Sequence, residues 1–201
     1  MNISTSVRLQ NTRSFNLSDR NNKKIDPKVE ACTLEQDDIL ILTNVQIGDN
    51  EQRIKRKFLD KGYELFANST SNQAAGVAIC LRIAKEIKVL SIKKDGNDRV
   101  LILKLMIEEE IISVISFYDS NNDTAEHMAW IDEALMEEGI NQGIILGGDL
   151  NTFTNTNLDQ KGFNGKEHYR RKAARHLANW EDNNRLNDIY RRQNPNGRVH
   201  T

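Results

Sequence analysis

The chain is poor in the residues that usually mark special environments. It has two cysteines, Cys32 and Cys80, in 201 residues. They lie far apart and neither has a C-x-x-C partner, so reduced, packed thiols in an intracellular protein are expected. Two prolines occur, and no low-complexity tract or linker divides the chain. Aromatic residues make up 6%. The formal net charge is −1, so overall charge does not speak for or against nucleic acid, and only a local patch can. No apolar run approaches the length of a membrane span. The N-terminal "MNISTSVRLQNTRSFN" has no hydrophobic core segment, which excludes a secretory signal there and leaves no membrane partner expected.

What is present suits one domain over 1–201, with an ordinary apolar share of 38%. Residues 1–24 are polar and read as an edge strand with a loop, or as irregular chain. "KVEACTLEQ" after Pro27 predicts a short helix. "DDILILTNV" (37–45) is a continuous apolar run between polar flanks, the pattern of a strand buried on both faces. "EQRIKRKFLDKGY" puts Ile54, Phe58 and Leu59 on one helical face, with Gly62 as its stop. Five β-rich segments follow: "YELFAN", "AAGVAICLRI", "EIKVLSIKKD", "RVLILKLMIEE" and "EIISVISFYD". "DGND" (95–98) and "EEE" (108–110) are turns between them. "DTAEHMAWIDEALMEEG" predicts a helix capped by Asp123 and Glu126, with Met128, Ile131 and Leu135 as its apolar stripe and His127 on its polar side. The strand "GIILGG", a basic helix "KEHYRRKAARHLANWEDN" and "LNDIYRRQNPNGRVHT" complete the chain. Sequential strands between helices predict an α/β fold with mixed pairing.

The stretch "GIILGGDLNTF" (143–153) carries the chemistry. Asp149 and Asn151, two apart at a strand end, can point to one side. Gly147 and Gly148 allow backbone or ligand to come close. A carboxylate beside a carboxamide suits phosphate chemistry: the Asp orients or deprotonates a water, and the Asn donates to a developing oxyanion. The alternative is an ordinary turn, since Gly, Asp and Asn are common turn residues.

The neighbouring segments resemble the endonuclease/exonuclease/phosphatase superfamily, most closely the endonuclease domains of LINE-type non-LTR retrotransposons. "GGDLNT" resembles the GGDFNT motif, "AAGVAICLR" the GVAI strand, and "VISFYDSNN" the NVYAPN strand end. "DDILILTNVQ" is similar to the D-I-L-x-L-Q-E-T-H strand, and "RLNDIYRRQNPNGRVHT" to the L-x-D-x-[WY]-R segment. The resemblance implies a four-layered α/β sandwich, two mixed β-sheets flanked by helices, and a divalent-metal-dependent phosphodiesterase that nicks DNA. It implies Mg²⁺, or Mn²⁺ in its place, as cofactor and DNA as substrate. A reverse transcriptase domain in the same polyprotein would be a partner, and work on genomic DNA implies a nuclear site of action. Carried over by residue, Asp149 orients or deprotonates the water and contributes to the metal. Asn151 binds the phosphate, Tyr118 supports it through its hydroxyl, and Asp188 is structural.

Three departures accompany these matches. Asn44 stands where the family has its metal-binding Glu. Ser6, in "TSVRLQN", takes the place of the first-strand Asn. The family's S-x-R-I-D strand and Ser-Asp-His end have no counterpart before Thr201, so the expected fold lacks its last strands. His200 aligns before the Thr of the [FY]-T segment and is not that histidine. His168 and His176 have no carboxylate or cysteine set to make a metal site with.

The basic helix gathers Arg170, Arg171, Lys172 and Arg175, which can track phosphates or form a solvated face on a helix docked by Leu177 and Trp180. The loop 154–165 could approach a substrate. Three functions therefore compete: a metal-dependent DNA endonuclease, a catalytically inactive nucleic-acid-binding remnant of it, and a phosphomonoesterase.

Overall fold

The computed structural model describes residues 4–12, 15, 25–70, 75–119, 124–140, 143–151 and 167–195, with the side chains of 167–173 outside the description. The chain divides into two compact units, 1–118 with 142–149, and 119–141 with 150–201.

The first unit holds two mixed sheets. Strands β1 (Val7–Asn11), β2 (Ile39–Thr43), β3 (Tyr63–Asn68) and β4 (Val77–Arg82) form one, in the order β1-β2-β4-β3. β1 runs parallel to β2, and the other pairs are antiparallel. Strands β5 (Ile87–Lys94), β6 (Val100–Ile107), β7 (Glu110–Tyr118) and β8 (Ile144–Asp149) form the other, in sequential order. β5, β6 and β7 are an antiparallel meander, and β8 joins β7 in parallel. Each expected strand is present, and the α/β architecture of two mixed sheets with helices is the one expected.

The apolar run "ILILT" explains how the sheets stack. β2 is buried along its whole length. Its side chains alternate, as strand geometry requires. Ile39 and Ile41 pack with Val77, Ile79, Leu101, Leu103 and Val114 between the two sheets. Leu40 and Leu42 pack on the opposite face, with Val29 of helix α1 (Ile25–Thr33) and Ile54 and Phe58 of helix α2 (Glu51–Leu59). Each such aliphatic side chain contributes about 1.5–3 kcal/mol when fully buried. Cys32 and Cys80 are free and buried in this helix-facing layer. Burial raises the Cys32 thiol to about 11 and carries Cys80 well above its ordinary value.

Leu59 departs from the expected helical face and is 56% exposed. Ile54 and Phe58 are one helical turn apart and point inward, whereas Leu59 is rotated about 100° further round the helix. Gly62, at φ 82°, follows the helix as the expected stop. The turn joining β6 and β7 is Glu108–Glu109, with both residues at positive φ (50° and 72°). That is the backbone of a two-residue hairpin turn, usually given to Asn-Gly.

The second unit contains α3 (Thr124–Glu137), α4 (Glu167–Asn183) and the short α5 (Ile189–Gln193). α4 docks on α3: Leu177 and Trp180 are buried, and Trp180 Nε1 donates to Asp132 Oδ1 at 2.6 Å. The buried face of α3 is Thr124, His127, Met128, Ile131, Ala134 and Leu135. His127 therefore is a buried residue and not a surface one, because it precedes Ile131 by four positions and shares its side of the helix. Asp188 caps α5 by accepting from the Arg191 N–H at 2.9 Å, a structural part as expected. The expected cap Asp123 lies outside the described residues. Among the described residues no helix is long and apolar enough to cross a membrane.

Candidate active site

Parallel pairing brings strand ends together. β1 and β2 run side by side, with Asn11 in register with Thr43, so Asn44 follows directly. β7 and β8 do the same, with Tyr118 in register with Asp149. Ser116 Oγ donates to the Leu42 carbonyl at 3.1 Å, which ties β7 to β2 across the two sheets. Asn11 Nδ2 donates to Asp149 Oδ2 at 3.0 Å. Asn11, Tyr118 and Asp149 thus lie at the C-terminal ends of their strands, at one end of the first unit. A polar side chain just past a strand end keeps a precise position from the sheet and leaves the core apolar.

The glycine pair supports this placement. A Cβ on Gly147 would sit 2.8 Å from Cδ1 of Ile41. A Cβ on Gly148 would sit 2.0 Å from the Phe117 carbonyl oxygen. Gly147 lets β8 approach the opposite sheet, and Gly148 lets it lie against β7. Of the two expected uses, close approach of backbone or of ligand, Gly148 serves the first, and Gly147 admits the Ile41 side chain.

Ser6 is not the counterpart of a site asparagine. Its N–H donates to Asp38 Oδ2 at 3.0 Å, and the Asp38 N–H donates back to Ser6 Oγ at 3.0 Å. Both residues precede their strands, at the end away from Asp149. Asn11 holds the place at the other end of β1. The signal was the polar residue closing "VRLQN".

Asn44 stands where expected, just after β2, in the left-handed region at φ 56°. Its Oδ1 accepts from Gln46 Nε2 at 3.0 Å, and its carbonyl accepts from Thr12 Oγ1 at 3.1 Å. Mg²⁺ needs hard oxygen ligands, and sites acting on phosphates commonly use one or two carboxylates with the phosphate and waters. Asp149 offers one carboxylate. Among the described residues no group of three His, Cys, Asp or Glu side chains could cage an ion. The residues fit an ion held between Asp149 and a phosphate, and do not fit an all-protein cage. Asp49 is exposed, in the 3₁₀ turn Gly48–Asn50.

In the second unit, Asn151 Nδ2 donates to the Asp119 carbonyl at 2.8 Å. Asn151 has φ 46°, beyond the end of β8, so the two-residue alternation expected to align it with Asp149 has already stopped. Asp119 is fully buried, accepts from Thr124 Oγ1, and has Oδ1 3.7 Å from His127 Nδ1. A buried carboxylate with two partners braces the residue whose carbonyl holds Asn151. Sequence reasoning did not single out this support. On α4, Arg175 is exposed, and the backbone at Arg170, Arg171 and Lys172 is helical as expected, their side chains lying outside the described residues. The loop 154–165 and His168 and His200 likewise fall outside the described residues or side chains.

No family profile and no curated protein sequence matches the chain. Solved structures do. The endonuclease domain of TRAS1, a telomere-specific non-LTR retrotransposon, aligns at TM-score 0.56 and 12% identity, over 88% of this chain and 71% of that one. A mannosyl-6-phosphatase of Bacteroides thetaiotaomicron aligns at TM-score 0.53 and 15% identity, over 78% and 67%. An endonuclease/exonuclease/phosphatase family protein of the same bacterium aligns at TM-score 0.52 and 14% identity, over 72% of this chain and 62% of that one. The chain has the fold of the endonuclease/exonuclease/phosphatase superfamily. It spans under two thirds of the length of the last of these proteins.

Proposed function

We propose that the chain is an endonuclease domain of the retrotransposon kind, which nicks DNA by hydrolysing a phosphodiester. The observation that carries this reading is Asp149, set in register with Tyr118 and oriented by Asn11. In the proposed reaction Asp149 orients a water and takes its proton as the water oxygen bonds to phosphorus. The bond from phosphorus to the leaving strand's oxygen breaks, and that oxygen takes a proton from solvent. Tyr118 donates from its hydroxyl to a non-bridging oxygen. Asn151 binds the phosphate through its amide, in the role that the resemblance implies. Asn11 keeps the Asp149 carboxylate from turning. Where Mg²⁺ or Mn²⁺ is present, Asp149 would hold it against the phosphate, and the ion would neutralise charge on the phosphoryl oxygens. Arg170, Arg171, Lys172 and Arg175 would follow the DNA backbone. Genomic DNA as substrate would place the protein in the nucleus, with a reverse transcriptase domain as the natural partner.

One observation favours a second reading, a binding domain that no longer cuts. Asn44 is a neutral amide whose oxygen already accepts from Gln46. The test is nicking of supercoiled plasmid with Mg²⁺ or Mn²⁺, beside Asp149→Ala. Metal-dependent nicking that the substitution abolishes supports the endonuclease. Salt-sensitive DNA binding without nicking, in both proteins, supports the binding domain and refutes the first reading.

A further inference from the structure

Arg99 is a cation placed over the ring of Tyr118. It lies just before β6, where its carbonyl accepts from the Tyr118 N–H at 2.9 Å. Its guanidinium carbon sits 5.0 Å from the centroid of the Tyr118 ring. Tyr118 in turn is in register with Asp149. All three residues belong to the first unit.

The backbone on either side of Arg99 is clamped. Asp95 Oδ1 accepts from the N–H groups of Arg99 and Val100, at 2.9 and 2.8 Å. Asn68 Nδ2 donates to the same oxygen at 2.7 Å, and to the Val100 carbonyl at 2.9 Å. Asp98 adopts φ 59°, and its carboxylate accepts from the Thr70 N–H and Oγ1. The turn "DGND", which the sequence marks only as a turn, is therefore a cradle for the next residue. Its carboxylates accept from backbone, side-chain amide and hydroxyl donors.

Among the described residues no carboxylate forms an ion pair with Arg99. Its Nη1 is enclosed and, among the described residues, meets no hydrogen-bond acceptor. Arg99 is half-buried, so the enclosed Nη1 is an unmatched donor, which is costly, while the other guanidinium N–H groups are not enclosed. With the guanidinium over the ring, its N–H groups other than Nη1 remain to take an anion, and charged N–H groups suit phosphate oxygens.

We infer that Arg99 is a phosphate-binding residue of this site, which holds a DNA phosphate beside Tyr118. This rests on the DNA-nicking reading for the identity of the anion, but its test does not need turnover. Binding of a short fluorescent DNA duplex is followed by anisotropy in EDTA, across roughly 50 to 200 mM salt. Wild type, Arg99→Met, Arg99→Lys and Asp149→Ala are compared, with thermal melts of each. Arg99→Met weakens binding and flattens the dependence of log affinity on log salt by about one unit. Arg99→Lys keeps the slope, because it keeps the charge. If Arg99→Met does not fold, Arg99→Gln removes the same charge and shows the same flattening. An unchanged slope in a folded, charge-removing variant overturns the inference, since bracing of Tyr118 alone would not alter it. Plasmid nicking separates the two proposals. Nicking by wild type with an unchanged Arg99→Met slope refutes Arg99 alone. No nicking with a flattened slope refutes the endonuclease and keeps Arg99. Absence of DNA binding refutes both.

Discussion

Gly147 and Gly148 are adjacent, yet they face obstacles of different kinds, and this gives a sharp test of how β8 is seated. In Gly147→Ala the new Cβ would meet Ile41 Cδ1 at 2.8 Å and Cγ2 at 3.2 Å. Ile41 is 1% exposed, so it has nowhere to go. Overpacking of this size costs about 1–3 kcal/mol. For a chain of this length each kcal/mol lowers the melting temperature by about 2–4 °C. Ile41→Val removes Cδ1 and should cost about 0.5–1.5 kcal/mol alone. In the double variant the methyl added at position 147 occupies the space that Cδ1 vacates. The pair should therefore be less destabilised than the sum of the two changes, by about 1 kcal/mol. Gly148→Ala should exceed both and find no such rescue, because its obstacle is the Phe117 carbonyl oxygen at 2.0 Å. Urea midpoints at a constant slope measure all four. If Gly147→Ala and Ile41→Val add without coupling, or if Gly148→Ala is no worse than Gly147→Ala, β8 is not seated in this way.

Other expectations follow from single contacts. Asn11→Ala should slow nicking about ten- to a hundredfold, from a charged hydrogen bond of about 1.5–3 kcal/mol, while Ser6→Ala leaves the rate alone; equal effects in the two would put Asn11 outside the site. Trp180→Phe removes the Nε1 hydrogen bond to Asp132 and should lower the urea midpoint, by about 1–2 kcal/mol in stability; an unmoved midpoint contradicts the docking of α4 on α3. Glu181 has its carboxyl raised by burial, then by Asp188 and Asp182. A raised folded value favours the protonated form, so its contribution is full below the unfolded value and is lost as pH rises through the folded one. Glu181→Gln should therefore raise the melting temperature at neutral pH and not at about pH 3, and an equal gain at both would refute the cause.

The sequence carried much of the fold in plain view, for reasons that differ by residue. "ILILT" had no alternation, and a strand covered on both sides needs none. Asp149 was legible because it ends an apolar run, where a polar side chain faces a strand terminus, whereas Tyr118 was singled out only by the resemblance of "VISFYDSNN" to a family strand end. Asn11 was not, since β1 is an edge strand with an alternating, largely exposed pattern, and only its pairing with β2 shows which end meets β8. His127 could have been found: it shares the spacing of Thr124, Ile131 and Leu135, but a titratable side chain was read by its polarity and not by its position. Asn151 was placed by strand geometry that its positive φ ends. The bracing by Asp119 and the cradle around Arg99 depend on contacts between segments far apart in sequence, which no local pattern encodes.

The topology also sets the order in which the site can be assembled. The meander of β5, β6 and β7 closes through short turns, and such local contacts form early in folding. Asp149 enters only when β8 returns to lie parallel to β7, after the whole α3 segment has been spanned. Its hydrogen bond to Asn11 joins residues 138 positions apart. Closing so long a loop is entropically expensive and is repaid only by packing already in place. The register of Tyr118 with Asp149 depends on this long closure, whereas the meander does not. Weakening the Asn11–Asp149 contact should hasten unfolding more than it delays folding, as the two arms of a urea chevron would show.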